Sequence, residues 1–334
     1  MSIVNKLKGI PFFSELNDDE LAFLVNYLGE RTYEAGEIIL HQGTHGADLY
    51  LINSGIVSVH VALPGDIQRE ATRLIAGQIF GEVSFLTNDP ITASIIAVEK
   101  SSFIIFYFKV LEMLRVAYPH MAYKIEASIA RQTTAKIVSN INRIRDLLKK
   151  LPKGTQEQSK HIVKLPVVNA TFSDQDTSKL RRDFIDHLAF FSHLGKEDID
   201  FLLEHIQAWR YDQGYELSPP DKSRRKISVI YSGAVMLFIK EKEQMKKSIA
   251  VIGFGNLFVQ NFFAPELNEL ATYVTCENSI ILEIDYQFYE KLEEINPTCF
   301  YAISQVLHCM ITSSVYIVNR QFVRINCEYS DVTQ

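Results

Sequence analysis

The stretch IFGEVSFLTNDPITAS, residues 79–94, decides how this chain is read. The apolar pair Ile79-Phe80 runs into Gly81 and Glu82, which mark a turn from strand into a short helix. Such a turn can wall a pocket for a sugar-phosphate, because the free N–H groups of a helix start attract an anion. A phosphate also calls for a positive charge. Pro90, Ile91, Thr92, Ala93 and Ser94 bring none.

The stretch belongs to an internal repeat. Shifting the chain by 178 residues aligns Phe12-Phe13-Ser14 and Leu16 with Phe190-Phe191-Ser192 and Leu194. The same shift, without a gap, pairs Tyr33 with Tyr211, Gly36 with Gly214, Ser54-Gly55 with Ser232-Gly233, and Gly77 with Gly255. Phe80 meets Phe258, Ala93 meets Ala271 and Pro119 meets Pro297. One register held this far makes the chain two copies of one domain.

Within a copy, a first helix is capped by Asn17 with Glu20 three residues on, the capping-box spacing. Short strands follow, punctuated by Gly36, Gly43, Gly46, Gly55, Gly65 and Gly77, where tight turns need a positive φ. LYLINSGIVSVHVAL (49–63) reads as two strands around Ser54-Gly55, and IIAVEKSSFIIFYF (95–108) supplies the last strands. The expected fold is α+β: two β-rolls, jelly-roll-like antiparallel barrels, each flanked by helices and followed by a long helix. The expected divisions are a first domain over 1–119, a long amphipathic helix over 120–152 and a linker over 153–183. A degenerate second domain over 184–297, a C-terminal helix over 298–327 and a tail over 328–334 complete the plan.

The 334 residues are 47% hydrophobic and 22% charged, enough for large cores, and the net charge of −6 argues against a general nucleic-acid binder. Cys276, Cys299, Cys309 and Cys327 form no CxxC pair, so neither a disulfide framework nor a zinc site is implied. MSIVNKLKGIPFF lacks the build of a signal peptide. The most apolar window, 248–264, carries Asn256, Gln260 and Asn261, a poor membrane span. A reduced, cytoplasmic protein is expected.

Residues 120–151 keep a seven-residue apolar period, with Thr134, Ile141 and Leu148 at one seam position and Ala130, Ile137, Ile144 and Leu151 at the other. A homodimer through this helix is the expectation, with packing inside the chain as the alternative. Eight basic residues between 120 and 153 face only Glu126 and Asp146; such a face more often docks on acidic surface of its own protein than on nucleic acid. The segment from Pro152 to Asp183 is polar, broken by HIVKLPVV, a linker with one strand in it.

Three segments now carry a family resemblance: KLKGIPFFSELNDDELAFL (6–24), YEAGEIILHQGTHGADLYLINSGIVSV (33–59) and LIAGQIFGEVSFL (74–86). Together they resemble the cyclic nucleotide-binding domain of cyclic-AMP-dependent transcription factors, protein kinase regulatory subunits and gated channels. The resemblance implies that Gly81, Glu82 and Val83 set helix-start N–H groups on the cyclic phosphate, and that Glu82 accepts a hydrogen bond from the ribose 2'-hydroxyl. Thr92, Ala93 and Ser94 line the same pocket. The family's phosphate-pairing arginine falls on Ile91, and in the second copy on Glu269. The second copy departs further: Asp221 and Arg224 stand for Gly43 and Gly46, and Val259-Gln260 for Gly81-Glu82.

Removing one partner of a buried, hydrogen-bonded charge pair costs about 2–5 kcal/mol, roughly thirty-fold to several thousand-fold in affinity. Arg69 and Arg73, sharing one strand face at period two, are the candidate surrogate phosphate contacts. His41, His45 and Asp48 have metal-ligand chemistry, but the turn itself explains their glycines, and no metal is expected. The expectation is a non-enzymatic regulatory or scaffolding protein without a cofactor, engaging a protein partner or a second copy. The alternative is a sensor in which the first domain binds cyclic AMP or cyclic GMP and moves the following helix.

Overall fold

The computed structural model describes residues 3–63, 67–150, 182–192, 194–217, 225–241, 244–260 and 267–333. It divides into two compact units, Met1–Ile137 with Ile311–Gln334, and Val138–Met310.

The first unit opens with α1 (Ile3–Lys8), a single 3-10 turn at Pro11–Phe13, and α2 (Asp18–Val25). The Asn17 side chain accepts the Glu20 N–H at 2.9 Å, and the Glu20 carboxylate accepts the Asn17 N–H at 2.8 Å, so the capping box forms as its spacing predicts. Eight strands follow. β1 (Leu28–Tyr33), β8 (Ser101–Phe106), β3 (Leu49–Ser54) and β6 (Ile79–Phe80) make one antiparallel sheet in that order. β2 (Ile38–Leu40), β7 (Ser94–Ala97), β4 (Ile56–Leu63) and β5 (Ile67–Ile75) make the other. The roll is thus two four-stranded antiparallel sheets, the α+β roll that short strands with regular turns suggested.

One apolar core joins the two sheets, with Tyr50, Ile52, Phe80, Phe103 and Ile105 from one and Ile39, Val57, Val59, Leu74, Ile95 and Ala97 from the other. Tyr50 and Phe80 stack at 5.0 Å, and Phe103 meets Phe80 edge-on at 5.5 Å, arrangements that suit the charge distribution of the rings. α3 (Glu82–Thr87) lies between β6 and β7, and α4 (Phe108–Ala117) follows β8.

The second unit contains α6 (Arg182–Ile185), α7 (Lys196–Leu203), α8 (Leu267–Leu270) and α9 (Tyr286–Ile295). Its sheets are β13 (Leu257–Gln260), β10 (Lys226–Ser232), β15 (Ser279–Asp285), β9 (Gln207–Tyr211), and β12 (Gln244–Gly253), β11 (Ala234–Glu241), β14 (Ala271–Thr275), in those orders. The repeat is carried into the backbone. β4 and β11 coincide end to end at an offset of 178, as do α4 and α9. The turn glycines match too: φ is +85° at Gly36 and +83° at Gly214, +96° at Gly55 and +88° at Gly233, +86° at Gly77 and +77° at Gly255. A Cβ at Gly55 would sit 2.1 Å from Ser101 Oγ, and one at Gly233 2.3 Å from Ser279 Oγ, so the two turns are closed by equivalent serines.

Two long helices, α5 (Pro119–Lys150) and α10 (Pro297–Thr333), complete the described chain. Ala130, Thr134, Ile137, Ile141 and Ile144 are all buried within the single chain, and Leu148 is half-buried. The seven-residue period is real, but it marks an intrachain packing face, so the seam is not left open for a homodimer. Leu151 lies outside the described residues, as do the linker through 181 with its HIVKLPVV run, and Asp221 and Arg224. The basic residues of α5 pair within the protein: Lys124 with Glu20 at 2.9 Å, Arg131 with Glu15 at 2.7 Å, and Lys149 with Asp146 at 3.1 Å. Among the described residues, Pro297–Cys327 is long and apolar enough to cross a membrane; its most apolar 18 residues have a mean hydropathy of 1.3 and are 50% buried, as in a core helix.

Candidate functional site

The site grows from the β3–β6 pairing, which sets Tyr50 opposite Phe80 and Leu51 opposite Ile79. The Ile52 N–H donates to Gln78 C=O at 2.9 Å and the Gly77 N–H to Ile52 C=O at 2.8 Å, so β6 enters the turn on a fixed track. Gly81 then takes φ +83°, and a Cβ there would lie 2.6 Å from the Asp48 carbonyl oxygen. Glycine is therefore required twice over, by conformation and by space. α3 starts at once, with the Phe85 N–H donating to Gly81 C=O at 2.9 Å. Its first residues, Glu82, Val83 and Ser84, are buried. Tyr50, beside the turn, has its phenol pushed up to about 12, first by burial and then by Tyr33 and Asp48, and so remains neutral.

The opposite wall is apolar where the resemblance places a cation. Ile91 is buried, its N–H donates to Thr44 C=O at 2.9 Å, and its carbonyl accepts the Gly43 N–H at 2.8 Å. A Cβ at Gly46 would be 3.4 Å from Ile91 Cδ1, so the isoleucine fills the space over that glycine. Thr92 and Ala93 are half-buried, and Ala93 packs against the core. Ser94 is buried, and its Oγ accepts the Gln42 N–H at 3.0 Å. The Ile91–Ser94 segment is tied down by backbone and hydroxyl contacts.

The two candidate surrogates do not share a face. Ala71 is an extra residue in β5, because Thr72 opposes Val59 while Glu70 opposes His60. This bulge reverses the alternation, leaving Arg73 opposite Ser58 and Arg69 opposite Val61, on opposite sides of the ribbon. Both are exposed, and Arg73 pairs with Glu70 at 2.8 Å. Asp48 Oδ1 accepts the Phe108 N–H at 3.2 Å as a cap for α4, and no cluster of three ligand-type side chains occurs among the described residues.

The site residue that sequence reasoning missed is Lys136. Its ammonium donates to Glu82 Oε1 at 2.6 Å and to the Ile79 carbonyl at 2.7 Å. Glu82 and Lys136 are 54 residues apart, and Lys136 is one of seven Lys and Arg residues on α5. Its place beside the seam residue Ile137 puts it at the edge of a packed face, but nothing in the helix sequence names Glu82 as its partner. In the second unit β13 runs on through Val259-Gln260, where the first has its glycine-acid turn, and Glu269 is exposed on α8.

Residues 30–115 match the sequence profile of the cyclic nucleotide-binding domain. The cyclic AMP receptor protein of Thermus thermophilus is 32% identical over 126 residues, covering 38% of this chain and 58% of that protein. The cAMP-dependent protein kinase regulatory subunit of Blastocladiella emersonii is 32% identical over 89 residues, 27% of this chain and 22% of that one. A solved cyclic nucleotide-binding domain from Methylobacillus flagellatus covers 45% of this chain and 85% of its own, at 23% identity and a TM-score of 0.41. The match covers the first roll, which carries the sequence pattern of a cyclic nucleotide-binding domain. The chain spans between about a fifth and three fifths of the length of these two curated relatives.

Proposed function

We propose that this chain is a non-enzymatic, cytoplasmic regulatory or scaffolding protein whose first site binds ordinary cyclic nucleotides weakly or not at all, and which works through contacts with a protein partner. The observation that carries this reading is Ile91, buried over Gly46 and held on both sides by backbone hydrogen bonds, where the family resemblance calls for the phosphate-pairing arginine. An apolar side chain cannot return the charge-assisted hydrogen bonds a cyclic phosphate loses on leaving water. The second site is read as empty, its glycine-acid turn replaced by a continuing strand.

Calorimetric titration of cyclic AMP and cyclic GMP tests the reading. Weak or silent binding by the native chain, tightened at least thirty-fold by Ile91→Arg, is expected from the roughly 2–5 kcal/mol at stake. Micromolar binding by the native chain, lost in Glu82→Ala, would favour the second reading instead, a sensor whose ligand moves α5. That reading draws on the intact Gly81 turn and the buried Glu82.

A further inference from the structure

We infer that Lys136 is a built-in occupant of the hydroxyl-recognising subsite, so that any ligand reaching Glu82 must first displace a side chain of α5. The inference rests on the site reading above and extends it to the regulation of that site. The Lys136 ammonium holds two acceptors at once, Glu82 Oε1 at 2.6 Å and Ile79 O at 2.7 Å. Ile79 is fully buried in β6, which ends one residue before Gly81, so the second contact lies at the root of the turn. The side chains of Lys136 and Glu82 are 20% and 9% exposed, which limits solvent screening.

A lysine that had merely found the nearest surface acid would resemble Lys149 with Asp146, whose side chains are 45% and 62% exposed. Lys136 instead reaches inward past the helix it belongs to. A ribose hydroxyl offers Glu82 a neutral donor, whereas Lys136 offers a charged one, about twice as strong. Ligand binding is therefore a competition, and the Lys136 side chain is the reporter of its outcome. Once displaced, it loses both anchors to the roll, and α5 loses a tie to the pocket near its middle.

The test uses the full chain carrying Ile91→Arg, so that a measurable site exists, and titrates cyclic AMP by calorimetry. Adding Lys136→Met should tighten binding about tenfold, and adding Lys136→Arg should leave it close to the parent. Unchanged binding in the Lys136→Met variant overturns the inference while leaving the reading of Ile91 intact. Weaker binding in that variant also overturns it, by making Lys136 a contact for the ligand. If Ile91→Arg gains nothing over a tightly binding native chain, the reading of Ile91 fails, and Lys136→Met in the native background still decides the competition. Should the methionine variant fold poorly, amide exchange over residues 130–140 of the Ile91→Arg chain replaces it. Faster exchange on saturation with cyclic AMP supports displacement, and unchanged exchange overturns it.

Discussion

Gly81 and Gly36 have nearly the same backbone, φ +83° and +85°, in very different surroundings. A Cβ at Gly36 would meet nothing within 4 Å, whereas one at Gly81 would lie 2.6 Å from the Asp48 carbonyl oxygen. Replacing each by alanine therefore separates two costs that usually come together. Both variants bear the left-handed strain of an L-residue, about 1–2 kcal/mol. Gly81→Ala adds overpacking of about 1–3 kcal/mol. The carbonyl it strikes cannot easily retreat, because the side chain of the same Asp48 accepts the Phe108 N–H at 3.2 Å. The expected losses are about 1–2 kcal/mol at Gly36 and about 2–5 kcal/mol at Gly81. Local stability in β3 and β8 can be followed by amide exchange with mass spectrometry. Trp209, the only tryptophan of the chain, lies on β9 in the second unit, and its fluorescence supplies an internal control. Equal losses at the two glycines would refute the steric argument for Gly81.

Three further outcomes are expected. For Glu20, burial raises the carboxyl pKa, but the Asn17 N–H and Lys124 outweigh it and hold it below the usual range, so its contribution is present at neutral pH and lost as pH falls through the folded value. Glu20→Gln should thus melt below the native chain at pH 7 and converge with it in acid, and a gap that persists at pH 2 would contradict this. Cys299 is pushed up to about 12, first by burial and then by Asp198, so at pH 8 iodoacetamide should spare it in the folded chain and label it in urea. Labelling of Cys299 in the native chain at the pace of Cys327 would count against its burial. Because the α5 seam is filled within one chain, Ile141→Asp should unfold the protein locally without changing its sedimentation mass; a native dimer that this substitution dissolves would show that the seam faces a second copy.

What the sequence made legible was whatever depends on local chemistry and period. Gly36, Gly55 and Gly77 with their counterparts announced turns, and all six take positive φ. Asn17 and Glu20 announced a cap, and both of its bonds form. Period alone does not name a partner, which is why the α5 seam suggested a second chain and found its cover at home. Nor does period survive an inserted residue: the bulge at Ala71 separated Arg69 from Arg73, and no composition signal marks it. Ile91 could be placed from the resemblance, since its position is counted along a motif. Lys136 could not, because its partner is set by how α5 lies over β6, a tertiary relation that no spacing within the helix encodes.

The first compact unit is discontinuous along the chain: Met1–Ile137 is joined by Ile311–Gln334, which holds the greater part of α10. On the ribosome, the first roll emerges early but must wait for the last stretch of α10 before its unit is complete. Apolar residues such as Val315, Val318, Phe322 and Ile325, buried in the folded protein, are delivered only after the whole second unit has been made. A nascent chain stalled before residue 311 should hold an unfinished first unit and be a ready client for chaperones, and a fragment cut between the two repeats should inherit the same defect.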